Sequence, residues 1–157
     1  MKDSSVKSLR ANVLRVTSTF DKPMDTPALS CKVKRISPIL AVADMDETLD
    51  FYTAVLGFNA VMKFPEYSII ERDGATIHFT KAADESVLAA VRGHAEIYLE
   101  VDDITSLWHH VQTFKGKYKI RDLFTQPYGM TEFHIGDPNE CLVFVGQKTA
   151  SIIPSAG

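Results

Sequence analysis

The sequence predicts an α+β fold in which one strand-helix-strand-strand-strand unit is used twice. Two observations carry that expectation. First, two blocks share a strand-turn-strand grammar: Tyr67 to Thr80, which turns at Asp73-Gly74, and Gln126 to Val145, which turns at Asp137-Pro138-Asn139-Glu140. Asp-Gly between alternating apolar residues marks a tight hairpin, and clustered Asp, Pro and Asn mark a turn. Second, each block has the same prelude. Leu40-Ala-Val42-Ala-Asp44 recurs as Leu99-Glu-Val101-Asp-Asp103, and Ile77-His78-Phe79 matches Val143-Phe144-Val145. Self-similarity at this period indicates an internally repeated architecture.

Each element has its own local signal. Ile36 to Val42 reads as a strand, with Pro38 confining it to an edge or to its first residues. Asp44 opens a helix with Glu47 three positions on, the spacing of a capping box, and Met45, Leu49, Tyr52 and Leu56 recur on one face. Gly57 suits the helix end, where a left-handed residue is needed. Strands follow at 58–64, 67–72 and 75–80. Lys81 to Gly93 is a polar connector with room for a helical turn or two. Glu96 to Val101 alternates as a half-buried strand. Asp103 starts a second helix with the stripe Ile104, Leu107, Trp108, Val111 and Phe114, and strands near 117–124, 131–135 and 141–147 complete the second unit. The expected organisation is one domain at 32–148, with repeats at about 33–80 and 94–147, between tails at 1–31 and 149–157.

Composition narrows the function class. Of 157 residues, 45% are hydrophobic and 24% charged, the balance of a soluble globular protein. The chain has no apolar run long enough for a membrane span. A net charge of -3 disfavours a nucleic-acid surface, and Lys115-Gly-Lys117-Tyr-Lys119 reads as a solvated loop. Cys31 and Cys141 form neither a disulfide framework nor a metal spacing, which points to a reducing, cytoplasmic setting. Met1 to Cys31 is basic and rich in hydroxyl side chains, with Val6, Leu9 and Val13 able to line a short helix. It suits a poorly ordered tail or docking arm, or a mitochondrial-type presequence, which Asp3 opposes. The chain has no Gly-rich phosphate loop and no nucleophile elbow, and neither cysteine has an evident base beside it.

Val42-Ala-Asp44, Leu49-Asp-Phe-Tyr52, Leu56-Gly-Phe58 and Leu99-Glu-Val-Asp102 form a pattern that resembles the vicinal oxygen chelate superfamily. That superfamily includes glyoxalases, extradiol dioxygenases and bleomycin resistance proteins. The resemblance spans Val33 to Gln147. The closing segments Gln126-Pro-Tyr-Gly129, Glu132-Phe133, Asp137-Pro138 and Cys141-Leu-Val-Phe-Val145 are most similar to the bleomycin resistance branch. That branch often has Trp in place of Tyr128 and Arg in place of Met130. The resemblance implies two βαβββ units whose curved mixed sheets enclose a cleft, a homodimer in which both chains shape the clefts, and a small-molecule ligand.

The resemblance also locates the family's metal positions, on the first and last strands of each repeat, at Ser37, His78, Glu96 and Phe144. A catalytic divalent metal generally needs about three protein ligands. Only His78 and Glu96 are competent, so neither a metal nor another cofactor is expected, and no catalytic residue is assigned. His134 lies on a different strand, and His109 and His110 lie on an outer helix face.

Strand alternation then fixes which side chains face the cleft. Ile39, Ala41, Thr76 and Thr80 follow Ser37 and His78. Tyr98, Glu100, Leu142 and Gly146 follow Glu96 and Phe144. The intervening aliphatic and aromatic residues suit a core, and a slip of one residue would invert the pattern. With loop contributions, the expected ligand cleft comprises Ser37, Ile39, Phe64, Tyr67, His78, Glu96, Tyr98, Tyr128, Leu142 and Phe144. Such a surface suits a planar or aromatic molecule held without chemistry. The alternatives are a metal-dependent glyoxalase-like lyase, isomerase or dioxygenase using His78 and Glu96, and a structural or regulatory module whose cleft is filled by itself.

Overall fold

The computed structural model describes residues 30–149. The readings of the N-terminal tail (the helix through Val6, Leu9 and Val13, and the presequence) and of the C-terminal tail fall almost wholly outside those residues. The first unit is β1 (Ile39–Val42), α1 (Met45–Ala54), β2 (Asn59–Lys63), β3 (Tyr67–Arg72) and β4 (Ala75–Lys81). After α2 (Glu85–Val91), the second unit is β5 (Glu96–Glu100), α3 (Ile104–Val111) with one 3-10 turn (Gln112–Phe114), β6 (Ile120–Thr125), β7 (Met130–Gly136) and β8 (Leu142–Lys148).

Local chemistry sets the element ends. Asp44 caps α1 by accepting the Glu47 backbone N–H at 2.8 Å, and Asp103 caps α3 through Ser106 N–H at 3.0 Å. Gly57 lies past the end of α1 at φ 69°. The first strand is shorter than the expected Ile36 to Val42. Pro38 has no N–H to give a ladder; its carbonyl accepts from His78 N–H at 3.0 Å, and regular pairing starts at Ile39. The connector holds a real helix, α2, capped by Asp84 through Ser86 and Val87.

Both units build the same sheet. The strand orders are β1-β4-β3-β2 and β5-β8-β7-β6. In each, the outer first strand runs parallel to the last, and the remaining pairs are antiparallel. Alternation has the expected phase: Val42, Ile77, Phe79, Val143 and Val145 are buried, with Leu40, Ile97 and Leu99 partly buried against them.

One hydrophobic cluster serves both units, combining Phe51, Tyr52, Leu56, Ile70 and Phe79 with Trp108, Val111, Phe133 and Ile135. Phe51 meets Tyr118 edge-on at 4.8 Å. The turn after β7 supplies the polar counterpart. Asp137 Oδ1 accepts from the Asn139 and Cys141 N–H groups, both at 2.8 Å, which folds the turn on itself. Asn139 then reaches the first unit: its Oδ1 accepts from Ala43 N–H at 2.8 Å, and its Nδ2 donates to Thr48 Oγ1 at 2.9 Å. Tyr52 donates to Asp137 Oδ2 at 3.1 Å. Burial, opposed by these donors, raises the Asp137 carboxyl above its ordinary value. Burial, with Asp137 nearby, pushes the Cys141 thiol up to about 12.

Candidate functional site

Because each sheet buries one face, the other face of each carries the remaining chemistry. On the first sheet, register places Ile39, His78, Ile69 and Met62 in one row. The Tyr67 hydroxyl and His78 Nδ1 share a hydrogen bond of 2.5 Å, and the Ser37 and Thr76 hydroxyls are bonded to each other. The row is apolar at its ends: Ile39 is 62% exposed and Met62 40%.

The second sheet is more elaborate. Register gives three successive rows across it: Glu100, Gly146, Glu132 and Phe124; then Tyr98, Phe144, His134 and Arg121; then Glu96, Leu142 and Gly136. Lys119 extends the third row, its carbonyl accepting from Gly136 N–H at 3.0 Å.

Glu132 is fully buried at the centre of this face. A carboxylate in that position is costly unless its lone pairs are filled. Here all four positions are taken. Oε1 accepts from Tyr98 at 3.0 Å and from Tyr128 at 2.9 Å, and Oε2 accepts from Gln126 Nε2 at 3.0 Å and His134 Nε2 at 3.3 Å. Burial pulls the Glu132 carboxyl upward, but the donated hydrogen bonds outweigh it and hold the group below its ordinary value. The same contacts act in reverse on the phenols. Burial, then the bond to Glu132, pushes Tyr98 up to about 12 and also raises Tyr128. Both hydroxyls are therefore fixed donors. Gly146 makes room for this: a Cβ there would overlap the Tyr98 hydroxyl and lie 3.3 Å from Glu132 Cγ.

Around the carboxylate stand aromatic faces. The His134 ring packs 4.2 Å from Phe144 and 5.0 Å from Phe124, and Tyr98 is stacked on Phe144 at 6.4 Å with planes 20° apart. The Arg121 guanidinium sits 3.9 Å over the Phe124 ring, so one face already attracts a cation. Beside this cluster a groove of about 1030 Å³ opens, lined by Glu96, Leu142, His134, Gly136, Lys119 and Arg121 among others.

The expected cleft residues thus fall into two groups. Ser37, Ile39, Tyr67 and His78 share the first sheet's open face. Glu96, Tyr98, Leu142 and Phe144 share the second's, joined by Tyr128 from the β6–β7 loop. Phe64 belongs to neither; it lines a hollow with Asp44, Lys63 and Lys81. Sequence reasoning missed Glu132 and Gln126, and it set His134 aside. Carrying the alternation from Phe144 onto the neighbouring strand would have put Glu132 and His134 on the same face.

A divalent metal does not suit this donor set. Phe144 has no donor atom and the Ser37 hydroxyl is engaged with Thr76, which leaves His78 on the first sheet and Glu96 on the second as the competent pair. Among the described residues, no three His, Cys, Asp or Glu side chains converge as a metal would require.

Two repeated βαβββ units, each with an open-faced mixed sheet, define the vicinal oxygen chelate class of fold. The chain belongs to the Glyoxalase/Bleomycin resistance protein/Dioxygenase superfamily, whose sequence model matches residues 32–144. It is similar to a bleomycin resistance protein of Geobacillus stearothermophilus, with 24% identity over 127 residues covering 73% of this chain and 96% of the relative. Among solved structures, a bleomycin-binding protein complexed with bleomycin superposes with a TM-score of 0.61 at 22% identity, over 74% of this chain and 99% of the other. A glyoxalase-related enzyme from Clostridium phytofermentans superposes equally well, with a TM-score of 0.61 at 20% identity, over 76% of this chain and 98% of the other.

Proposed function

We propose that this protein is a non-catalytic small-molecule-binding protein of the bleomycin resistance type, which acts by sequestration in the cytoplasm. One observation carries the reading. Phe144 stands where the metal-dependent members of the family need a carboxylate, and it belongs to an aromatic row with Tyr98 and His134. Beside that row, all four lone-pair positions of Glu132 are filled, so the carboxylate anchors side chains and is not poised to accept a proton from a substrate. The face is therefore suited to stacking a planar group and holding it. A relative named for bleomycin resistance and a neighbour complexed with bleomycin point the same way.

The working unit is a homodimer, because each sheet of one chain leaves an open face with exposed apolar side chains, including Ile39 and Tyr98. Two cysteines without a disulfide, Cys31 and Cys141, accord with a reducing compartment.

Isothermal titration with bleomycin and a panel of planar aromatic amines tests the reading. Saturable one-to-one binding per chain is expected for at least one member. Phe144→Ala should weaken it up to about tenfold, the scale of a lost aromatic contact. A folded protein that binds none of them would overturn the proposal.

A further inference from the structure

The second sheet's open face is electrically sorted across its strands. On one edge strand, β5, Glu96 and Glu100 occupy the open-face positions on either side of Tyr98. On the opposite edge, Arg121 of β6 and Lys119 just before it both line the groove. Between them lie Leu142, the His134 ring and Gly136, where a Cβ would meet nothing within 4 Å, with Phe144 in the adjoining row of the same face. Glu140, whose carbonyl accepts from Gly93 N–H, adds to the acidic side, Lys117 adds to the basic side with Glu47 near it, and Asp137 lines the groove as a buried, hydrogen-bonded carboxyl. Among the described residues, Glu96, Lys119 and Arg121 enter no ion pair, whereas Lys115, four residues before Lys119, is paired with Asp122. The Arg121 guanidinium is held by the Phe124 ring and keeps its donors free. Glu132 does not upset the sorting, since its lone pairs are filled and it lies in the row farthest from Lys119.

We infer that this groove selects a planar zwitterion, an aromatic molecule with a cationic group at one end and a carboxylate or similar anion at the other, lying across the strands. The inference rests on the ligand-holding reading above and specifies the ligand for the same face. The ring stacks on Phe144 and His134, the ammonium end turns to Glu96, and the anion turns to Arg121 and Lys119. Three strand spacings separate the β5 and β6 backbones by about 14 Å. The Glu96, Lys119 and Arg121 side chains are long enough to bridge the remainder to a ligand of one or two fused rings. An arginine on one wall opposes a ligand whose only charge is positive, and a glutamate on the other opposes one whose only charge is negative.

Calorimetry on the full chain with three matched probes tests this: a naphthoate, a naphthylmethylammonium, and an aminomethyl-naphthoate carrying both groups at opposite ends. The doubly substituted probe should bind about two- to fivefold tighter than either singly charged one, the scale of one additional partly exposed ion contact. That advantage should shrink as salt rises. Arg121→Gln combined with Lys119→Gln should erase the gain from the carboxylate, and Glu96→Gln the gain from the ammonium, leaving the ring's own affinity. Gly136→Leu, which fills open space on the floor, should abolish binding of all three while the circular dichroism stays unchanged. Equal affinity for the three probes, or a carboxylate gain that survives the combined Arg121→Gln and Lys119→Gln change, would overturn the zwitterion and leave sequestration standing. No binding of any probe or of bleomycin would overturn both.

Discussion

At the scale of the residue, the molecule turns on Glu132. Its identity could be read from the sequence, but its role could not. The four donors come from Tyr98, Gln126, Tyr128 and His134, and one lies 34 positions away along the chain. Only the fold gathers them. A neutral isostere exposes the consequence. In Glu132→Gln a single acceptor oxygen faces four donors, and the new amide turns two N–H bonds toward groups that also donate. Hydrogen bonds to charged groups contribute about 1.5–3 kcal/mol each, and strandedness of the partners adds to the loss. The variant should therefore lose about 2–4 kcal/mol at neutral pH. The pH dependence has a definite sign. The Glu132 carboxyl is held below its ordinary value in the folded state, so its contribution is complete above about pH 4.3 and disappears as pH falls through the lower folded value. The stability gap between wild type and Glu132→Gln, measured by urea denaturation, should be widest at neutral pH and close in acid. Asp137 works in the opposite sense, since its folded value is raised, but it is present in both proteins and cancels in the difference. A gap that stays constant into acid would show that the charge of Glu132 is not what stabilises the fold.

At the scale of the element, what was legible and what was not divide by distance along the chain. The caps Asp44 and Asp103 act on N–H groups three residues away, and the Asp73-Gly74 turn joins adjacent strands, so each could be read directly from the order of residues. The start of β1 was misread because Ile36 and Val42 keep the apolar pattern while Pro38 breaks the hydrogen-bond ladder, and pattern alone does not count donors. The turn at Asp137-Pro138-Asn139-Glu140 was visible as a turn, but its second task was hidden. Asn139 spans 96 positions to reach Ala43 and 91 to reach Thr48, tying the second unit to the start of α1. Both contacts are made by a side chain only 7% exposed. Asn139→Ala should remove the bond to the Ala43 N–H, which lies where water can reach it, and the bond donated to the buried Thr48 hydroxyl, which still donates to the Asp44 carbonyl. A total loss of about 1–3 kcal/mol in urea denaturation is expected, with the transition losing cooperativity if the two units come apart. A loss under half of one kcal/mol, roughly the scale of a surface change, would make the clamp ornamental.

At the scale of the whole molecule, the repeat was legible because both copies kept the same apolar phase, and the structure reproduces one sheet order twice. Where the two open faces point was not legible, since nothing local in a strand says which neighbour it will meet, and the expected single set of cleft residues became two groups on two sheets. That division bears on assembly. The first sheet's open face has Ile39 at 62% and Met62 at 40% exposure, and the second has Tyr98 at 47%. Faces of this kind that stay in water are a liability, and in the proposed homodimer a second copy of the chain would cover both at once if the first sheet of one subunit were laid against the second sheet of the other. Light scattering on the full chain should therefore give twice the chain mass of 17.5 kDa, falling toward the single-chain value on dilution. Ile39→Asp places a charge on the β1 edge of the first sheet's open face and should shift the protein to single chains without changing its circular dichroism. Asp50→Lys, on the exposed side of α1, which packs on the buried face of the first sheet, should leave the dimer intact. If the wild-type chain scatters as one copy at every concentration, the open faces are covered by ligand alone, and the groove on the second sheet must be complete within a single subunit.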